Sequence, residues 1–305
     1  MKLKNLFISA VTAVALTPLA AFALPDGSKQ NPLRVLMVPA DTGTNNITQD
    51  YGPVFQGITD NYGIHFDIKA GASYAAVVEG ICNDKADIAW FGAVTYGQAN
   101  DNCGVDLLAV DVSKGESAYF SGIFVRRDSG METLKDLKGK SIAFGSPNST
   151  SSFNFPVAMM IDAGIDPVQD TSKIIMAGSH SASLAALAEG KVDAAAAAFN
   201  SFEKAVEAGA IDPTKVKALE KSQPIPNPPL AMNQKLSPEL KAALREAFAT
   251  IHTKIDPSLI RGYGGKRVDR YDTEFKESDI LDALKKLNAV TPELKAEMVG
   301  KAGQR

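Results

Sequence analysis

One stretch of this chain is written twice. Lys85-Ala86-Asp87-Ile88-Ala89 returns as Lys191-Val192-Asp193-Ala194-Ala195, and at the same offset Val78 meets Leu184, Ile81 meets Leu187, Ser73 meets Ser179 and Tyr74 meets His180. Each copy reads as a helix with apolar residues at helical spacing, a tight turn and a short strand. Two ordinary helix-turn-strand units matching by chance would look the same from these residues alone. As a duplication, the match predicts two related α/β lobes, with Tyr74 and His180 at equivalent strand-to-helix turns. Open α/β sheets bind ligands at such turns.

The surrounding segments fit that frame. Leu33 to Val38 reads as a strand, Val54 to Tyr62 as a helix, Phe66 to Ile68 as a strand, Tyr74 to Ile81 as a helix and Ile88 to Phe91 as a strand. Strands alternating with helices imply largely parallel sheets. Two stretches read as crossings between lobes. Tyr119 to Val125 is apolar and β-prone, and in Pro224 to Leu230 the prolines at 224, 226, 228 and 229 exclude helix. The expected layout is a first lobe of residues 24–120 and 229–305 and a second of residues 121–228, with the ligand between them driving closure on two hinges. Ser237 and Pro238 begin an amphipathic helix reaching Ile251, and the tail from Ser278 to Ala302 is read as helical surface packing.

At the N-terminus, Lys2 and Lys4 precede an apolar run from Leu6 to Leu16, then Pro18 and the small-x-small tripeptide Ala21-Phe22-Ala23. The run is shorter than the roughly 20 residues that span a bilayer, so the pattern predicts a secretory signal peptide over residues 1–23 and a periplasmic protein. No Cys follows the expected cleavage site, which argues against a lipid anchor there. The chain carries 32 basic and 35 acidic residues, and the leader removes two of the lysines. A mildly acidic protein lacks the basic footprint that nucleic acid requires, so an anionic ligand must be drawn by a local site. Cys82 and Cys103 read as a disulfide in an oxidising compartment. Two cysteines and three scattered histidines are too few for a metal centre, and no cofactor is expected.

The strand Ser141 to Phe144 runs into Gly145-Ser146-Pro147-Asn148-Ser149-Thr150-Ser151-Ser152. Four consecutive hydroxyls where a helix begins put side-chain donors beside unpaired backbone N–H groups, where the helix dipole favours an anion. A serine-rich loop with a simple N-cap has the same look. Pro156 limits how early the regular helix begins. His180 can donate to an anionic oxygen, and adds charge if protonated, although a lone His is as often structural. Tyr74, Tyr96 and Tyr119 can donate through their hydroxyls or simply pack, and Trp90 reads as core.

In order along the chain, Ser73-Tyr74-Ala75-Ala76-Val77-Val78-Glu79, Asp87-Ile88-Ala89-Trp90-Phe91-Gly92 with Thr95-Tyr96, Lys138-Gly139-Lys140, Phe144 with Ser149-Thr150-Ser151, Gly178-Ser179-His180 and Gly190-Lys191-Val192-Asp193 resemble the phosphate/phosphite/phosphonate-binding proteins of ABC importers. The resemblance implies a two-lobed, type II-like periplasmic binding fold with the ligand cleft between lobes joined by two hinge strands. It implies that the hydroxyls of Ser149, Thr150 and Ser151, with Tyr74, Tyr119 and His180, hold a phosphonate, phosphite or phosphate, and that the partner is a cognate ABC permease in the inner membrane. Tyr96 and Asn200 complete the expected ligand-binding set, and a monomer is expected. Two departures stand out. Ser152 occupies the place where the family usually has Gly, and Asn200 and Pro228 stand near where its aminophosphonate binders place acids. Two alternatives stay open: a binder of another oxyanion such as a sulfonate, and a periplasmic serine hydrolase using Ser149 or Ser151 with His180. Nothing resembles Gly-x-Ser-x-Gly, which weighs against the hydrolase.

Overall fold

The computed structural model of the protein describes residues 26–40 and 47–304; the expected signal peptide lies outside the described residues. The chain opens with β1 (Leu33–Met37), α1 (Ile47–Tyr62), β2 (Phe66–Ala70), α2 (Tyr74–Cys82), β3 (Ile88–Trp90), α3 (Ala93–Cys103) and β4 (Val105–Val112). A short strand β5 (Ala118–Tyr119) leads to β6 (Ser121–Arg126), β7 (Ser141–Phe144), α4 (Phe155–Asp162), β8 (Lys173–Met176), α5 (His180–Ala188), β9 (Ala194–Ala198), α6 (Phe199–Glu207) and β10 (Val216–Lys221). A second short strand β11 (Ile225–Pro226) returns the chain to β12 (Leu230–Asn233), α7 (Pro238–Thr250), β13 (Arg270–Asp272), α8 (Glu277–Lys285) and α9 (Pro292–Gly303).

Among the described residues these strands form a six-stranded sheet in the order β13-β4-β12-β3-β1-β2 and a five-stranded sheet in the order β10-β6-β9-β7-β8. Between them in chain order, β5 and β11 pair antiparallel, Tyr119 opposite Ile225. The fold is a two-lobed binding-protein fold. Both sheets are mixed rather than largely parallel, because β12 and β6, the strands that follow the crossings, run against their neighbours β3 and β9.

The repeated residues do the same work in each lobe. The Asp87 carboxylate accepts the backbone N–H of Arg34 at the start of β1 at 2.8 Å, and that of Asp193 accepts the N–H of Ser141 at the start of β7 at 2.9 Å. Ser73 caps α2 by accepting from Ala76 N at 3.1 Å, and Ser179 caps α5 by accepting from Ala182 N at 3.2 Å. The five alanines of β9 are all buried, Ala195 and Ala197 facing one core with Leu184 and Phe124, and Ala194, Ala196 and Ala198 facing another with Phe144 and Phe153. Side chains that alternate between faces let one small-residue strand carry helices on both sides.

Cys82, ending α2, and Cys103, ending α3, form the expected disulfide, their Cα atoms 5.5 Å apart. Such a crosslink stabilises by about 3 kcal/mol through the unfolded state. The tail departs from the expected layout. The α9 helix packs on β8 of the five-stranded sheet, and Leu287, Val290 and Met298 sit in the core with Phe153 and Phe155. The range 229–305 therefore does not stay on the first lobe; apolar residues too sparse to mark a destination in the sequence are what carry it across.

Candidate functional site

Five consecutive residues, Thr150–Asn154, form a wide π-type turn before α4. The cause is local. Pro156 has no N–H to give to Ser152, so that carbonyl instead accepts from Gly145 N at 3.0 Å. The Ser149 hydroxyl caps the turn by accepting from Ser152 N at 3.1 Å, and the Asn154 side chain donates to the carbonyls of Ser149 at 2.7 Å and Pro147 at 3.0 Å. Residues 149–152 are all buried. A rigid, water-excluded run of hydroxyls beside a helix start is pre-arranged to meet negative charge.

The first lobe reaches this turn directly. Val94 N, in the first turn of α3, donates to Thr150 Oγ1 at 2.9 Å. Gly92 makes the approach possible, since a Cβ there would lie 3.0 Å from Thr150 Oγ1. Thr95 supports the same turn, its hydroxyl accepting from Gly92 N at 3.1 Å and donating to Gly92 O at 3.0 Å. A second contact between lobes runs from His180 N to Ala40 O at 3.0 Å. The lobes are closed on one another.

His180 Nδ1 accepts the backbone N–H of Ala198 at 2.9 Å. A nitrogen that accepts cannot also carry a proton, so the ring is the neutral tautomer with its hydrogen on Nε2. With Nδ1 accepting, His180 is a neutral donor, and the protonation that would add charge does not occur in this arrangement. Nε2 lies 3.4 Å from Ser149 Oγ. The arrangement is opposite to that of a general base, which needs Nε2 unprotonated and a carboxylate behind Nδ1.

Tyr119 is buried, and burial pushes its phenol well above the ordinary value, with the Ser151 and Thr150 hydroxyls acting against the rise and Tyr74 adding to it. It keeps its proton and is a donor. Tyr74 is also buried, its hydroxyl 3.4 Å from that of Tyr263. The turn of Ser149, Thr150 and Ser151 is thus brought together with Tyr119 and His180, and Tyr74 is near enough to act on Tyr119. All of these groups are neutral. One expected residue stands apart. Tyr96 turns its hydroxyl to Glu277 Oε1 at 2.6 Å, where burial and then that carboxylate raise it. Asn200, at the start of α6, has a buried Oδ1 without a hydrogen-bond partner among the described residues. Pro228 accepts through its carbonyl from Trp90 Nε1 at 2.9 Å. Among the described residues, no group of three or more His, Cys, Asp or Glu is placed to hold a metal ion, and no helix is long and apolar enough to cross a membrane.

Sequence reading missed Gly92 and the Val94 amide. The signal was present in Gly92-x-x-Thr95, a capping arrangement at the start of a helix, but not the lobe it faces.

Residues 35–274 match the family model of the ABC transporter phosphonate periplasmic substrate-binding proteins. The chain belongs to this family. It is 29% identical over 70% of its length to the phosphate-import protein PhnD of Mycolicibacterium smegmatis, 69% of which is matched. It is 27% identical over 67% of its length to the phosphonates-binding periplasmic protein of Escherichia coli, with 61% of that protein matched. The fold is shared with PhnD1 of Prochlorococcus marinus, solved in complex with methylphosphonate, at a TM-score of 0.74 and 17% identity, covering 85% of this chain and 97% of that one. The family is the substrate-binding component of ABC transporters.

Proposed function

We propose that the protein is an exported, monomeric periplasmic receptor of an ABC importer that holds a phosphonate- or phosphite-type oxyanion between its closed lobes. The observation that carries this reading is the bond from Val94 N to Thr150 Oγ1, because it seals the hydroxyl turn against the opposite lobe. The hydroxyls of Ser149, Thr150 and Ser151, the Tyr74 and Tyr119 phenols and His180 Nε2–H supply donors to the ligand oxygens. The names of the curated relatives and the methylphosphonate held by the Prochlorococcus protein support this ligand class. The protein works as a carrier and not as an enzyme: His180 is already protonated on the nitrogen facing Ser149, which leaves that hydroxyl without a base.

The reading also excludes an amine on the ligand. An ammonium leaving water without a carboxylate partner costs several kcal/mol, and Asn200 and Pro228 provide none. The buried Asp111 carboxylate is charge-paired with Lys266 at 3.3 Å and accepts from Asn227 Nδ2 at 3.1 Å, both through Oδ2, while its Oδ1 has no hydrogen-bond partner among the described residues. Thermal unfolding of the exported protein with and without methylphosphonate tests the function. A ligand at 100 times its Kd raises stability by about 2.7 kcal/mol, whereas an unmoved transition with methylphosphonate, phosphite and phosphate would rule the function out.

A further inference from the structure

Outside the hydroxyl turn, a single side chain of the second lobe grips two separate parts of the first. Lys204, on α6, donates to Asp50 Oδ2 on α1 at 3.3 Å and to the carbonyl of Gly264 at 3.0 Å. Gly264 belongs to the loop between α7 and β13, so the ammonium ties α6 to two elements that are distant in the chain.

The receiving loop is shaped for this contact. Gly264 and Gly265 both hold φ in the left-handed region, +78° and +76°, where other residues are strained. Gly265 also needs its missing side chain, because a Cβ there would lie 2.6 Å from Asp50 Oδ2. Gly265 N donates to Tyr51 Oη at 3.0 Å, which seats the turn on α1 beside the carboxylate. On its other side the loop is anchored to the crossing segment. Lys266 Nζ lies 3.3 Å from Asp111 Oδ2 and donates to Asn227 Oδ1 at 3.3 Å, Asn227 following β11 directly. The residue before the glycines, Tyr263, meets Tyr74 hydroxyl to hydroxyl. One loop therefore touches the candidate site, a hinge and the closing lobe.

We infer that Lys204 is a closure clasp, and that Asp50 with the Gly264–Gly265 turn is its socket: a positioning residue that sets how long the lobes stay shut and hence how slowly the ligand leaves. This rests on the proposed reading of a ligand held between closing lobes. The clasp forms only when α6 meets α1, so it acts on dissociation. A lysine acting merely as a positive charge near an anion would act on association instead.

The two roles separate by sign at Asp50. Lys204→Met removes the ammonium and keeps the stem, and Asp50→Asn removes the other charge. As a clasp, both variants raise the dissociation rate of methylphosphonate in stopped-flow displacement by about fivefold, the scale of a partly exposed ion pair, with association unchanged, and the double variant adds little to either. Lys204→Arg restores most of the effect. If charge alone matters, Asp50→Asn binds faster and tighter while Lys204→Met binds more slowly, and the clasp is refuted. Unchanged dissociation in both variants refutes it equally. Should the wild type bind none of the oxyanions, the proposed function fails, and the clasp is read without ligand. Spin labels at the exposed positions Gln30 and Lys135, one per lobe, should then show a smaller closed population in Lys204→Met, and identical distance distributions would overturn it.

Discussion

Val94 gives its backbone N–H to the Thr150 hydroxyl at 2.9 Å, and the two residues belong to different lobes. The bond from Val94 to Thr150 Oγ1 therefore forms only when the lobes meet, and the same hydroxyl also acts on the Tyr119 phenol beside it. Thr150→Ala should weaken methylphosphonate binding by about 1–3 kcal/mol, the loss of one donor to a desolvated charged oxygen, while Thr150→Ser retains most of it. Calorimetric titration of the two variants checks this; equal affinities for Ala and wild type would place the ligand elsewhere.

His180 has two jobs that one substitution can separate. Its Nδ1 satisfies the buried N–H of Ala198, and its Nε2–H faces Ser149. In His180→Asn the amide oxygen can take over the first job while the second is lost. We expect that variant to melt close to wild type yet bind methylphosphonate at least about tenfold more weakly, or 1.4 kcal/mol. His180→Ala should lose both, dropping stability by about 1–3 kcal/mol for the orphaned N–H. Full binding by His180→Asn would show that the imidazole donor is not used.

The family departure at Ser152 is matched by Gly145. A Cβ on Gly145 would lie 2.1 Å from Ser152 Oγ, a hydroxyl that is buried and without a partner among the described residues. Gly145→Ala should destabilise by about 1–3 kcal/mol through overpacking, and adding Ser152→Gly should recover most of that. Ser152→Ala alone should be neutral or stabilising, since it removes an unpaired buried hydroxyl. Chemical denaturation of wild type, Gly145→Ala, Ser152→Gly and the double variant forms a cycle, and strict additivity would contradict the steric coupling.

Asp193 supplies a pH-dependent term. Partial burial works to raise its carboxyl, but the hydroxyl and amide of Ser141 together with the charges of Lys140 and Arg126 outweigh that effect, and the group ends below its ordinary value. A carboxyl lowered on folding stabilises above its unfolded pKa near about 4, and that contribution is lost as pH falls through the lower folded value. Asp193→Asn should therefore cost about 1–2 kcal/mol at pH 7 and progressively less below pH about 4. A stability gap between variant and wild type that is constant with pH would deny the shift.

The sequence carried the duplication to the level of single hydrogen bonds. Asp87 and Asp193, Ser73 and Ser179 were visible as matched letters, and each pair proves to hold the same strand start or helix cap. The hydroxyl turn was equally legible, because four hydroxyl residues after a strand are a local pattern. What failed to show depends on contacts between distant segments. Tyr96 looks like a donor until Glu277 is beside it, and the protonation of His180 follows from the amide of Ala198, eighteen residues on. The destination of α9 rests on three spaced apolar side chains that name no partner.

The central claim is that neutral donors close on a small oxyanion without an amine. Isothermal titration of the exported protein with methylphosphonate, phosphite, phosphate, methanesulfonate and 2-aminoethylphosphonate in one buffer tests it most directly. The account predicts saturable binding of methylphosphonate or phosphite, at least about tenfold tighter than 2-aminoethylphosphonate, or 1.4 kcal/mol. Tightest binding of the aminophosphonate, or of methanesulfonate alone, would contradict it.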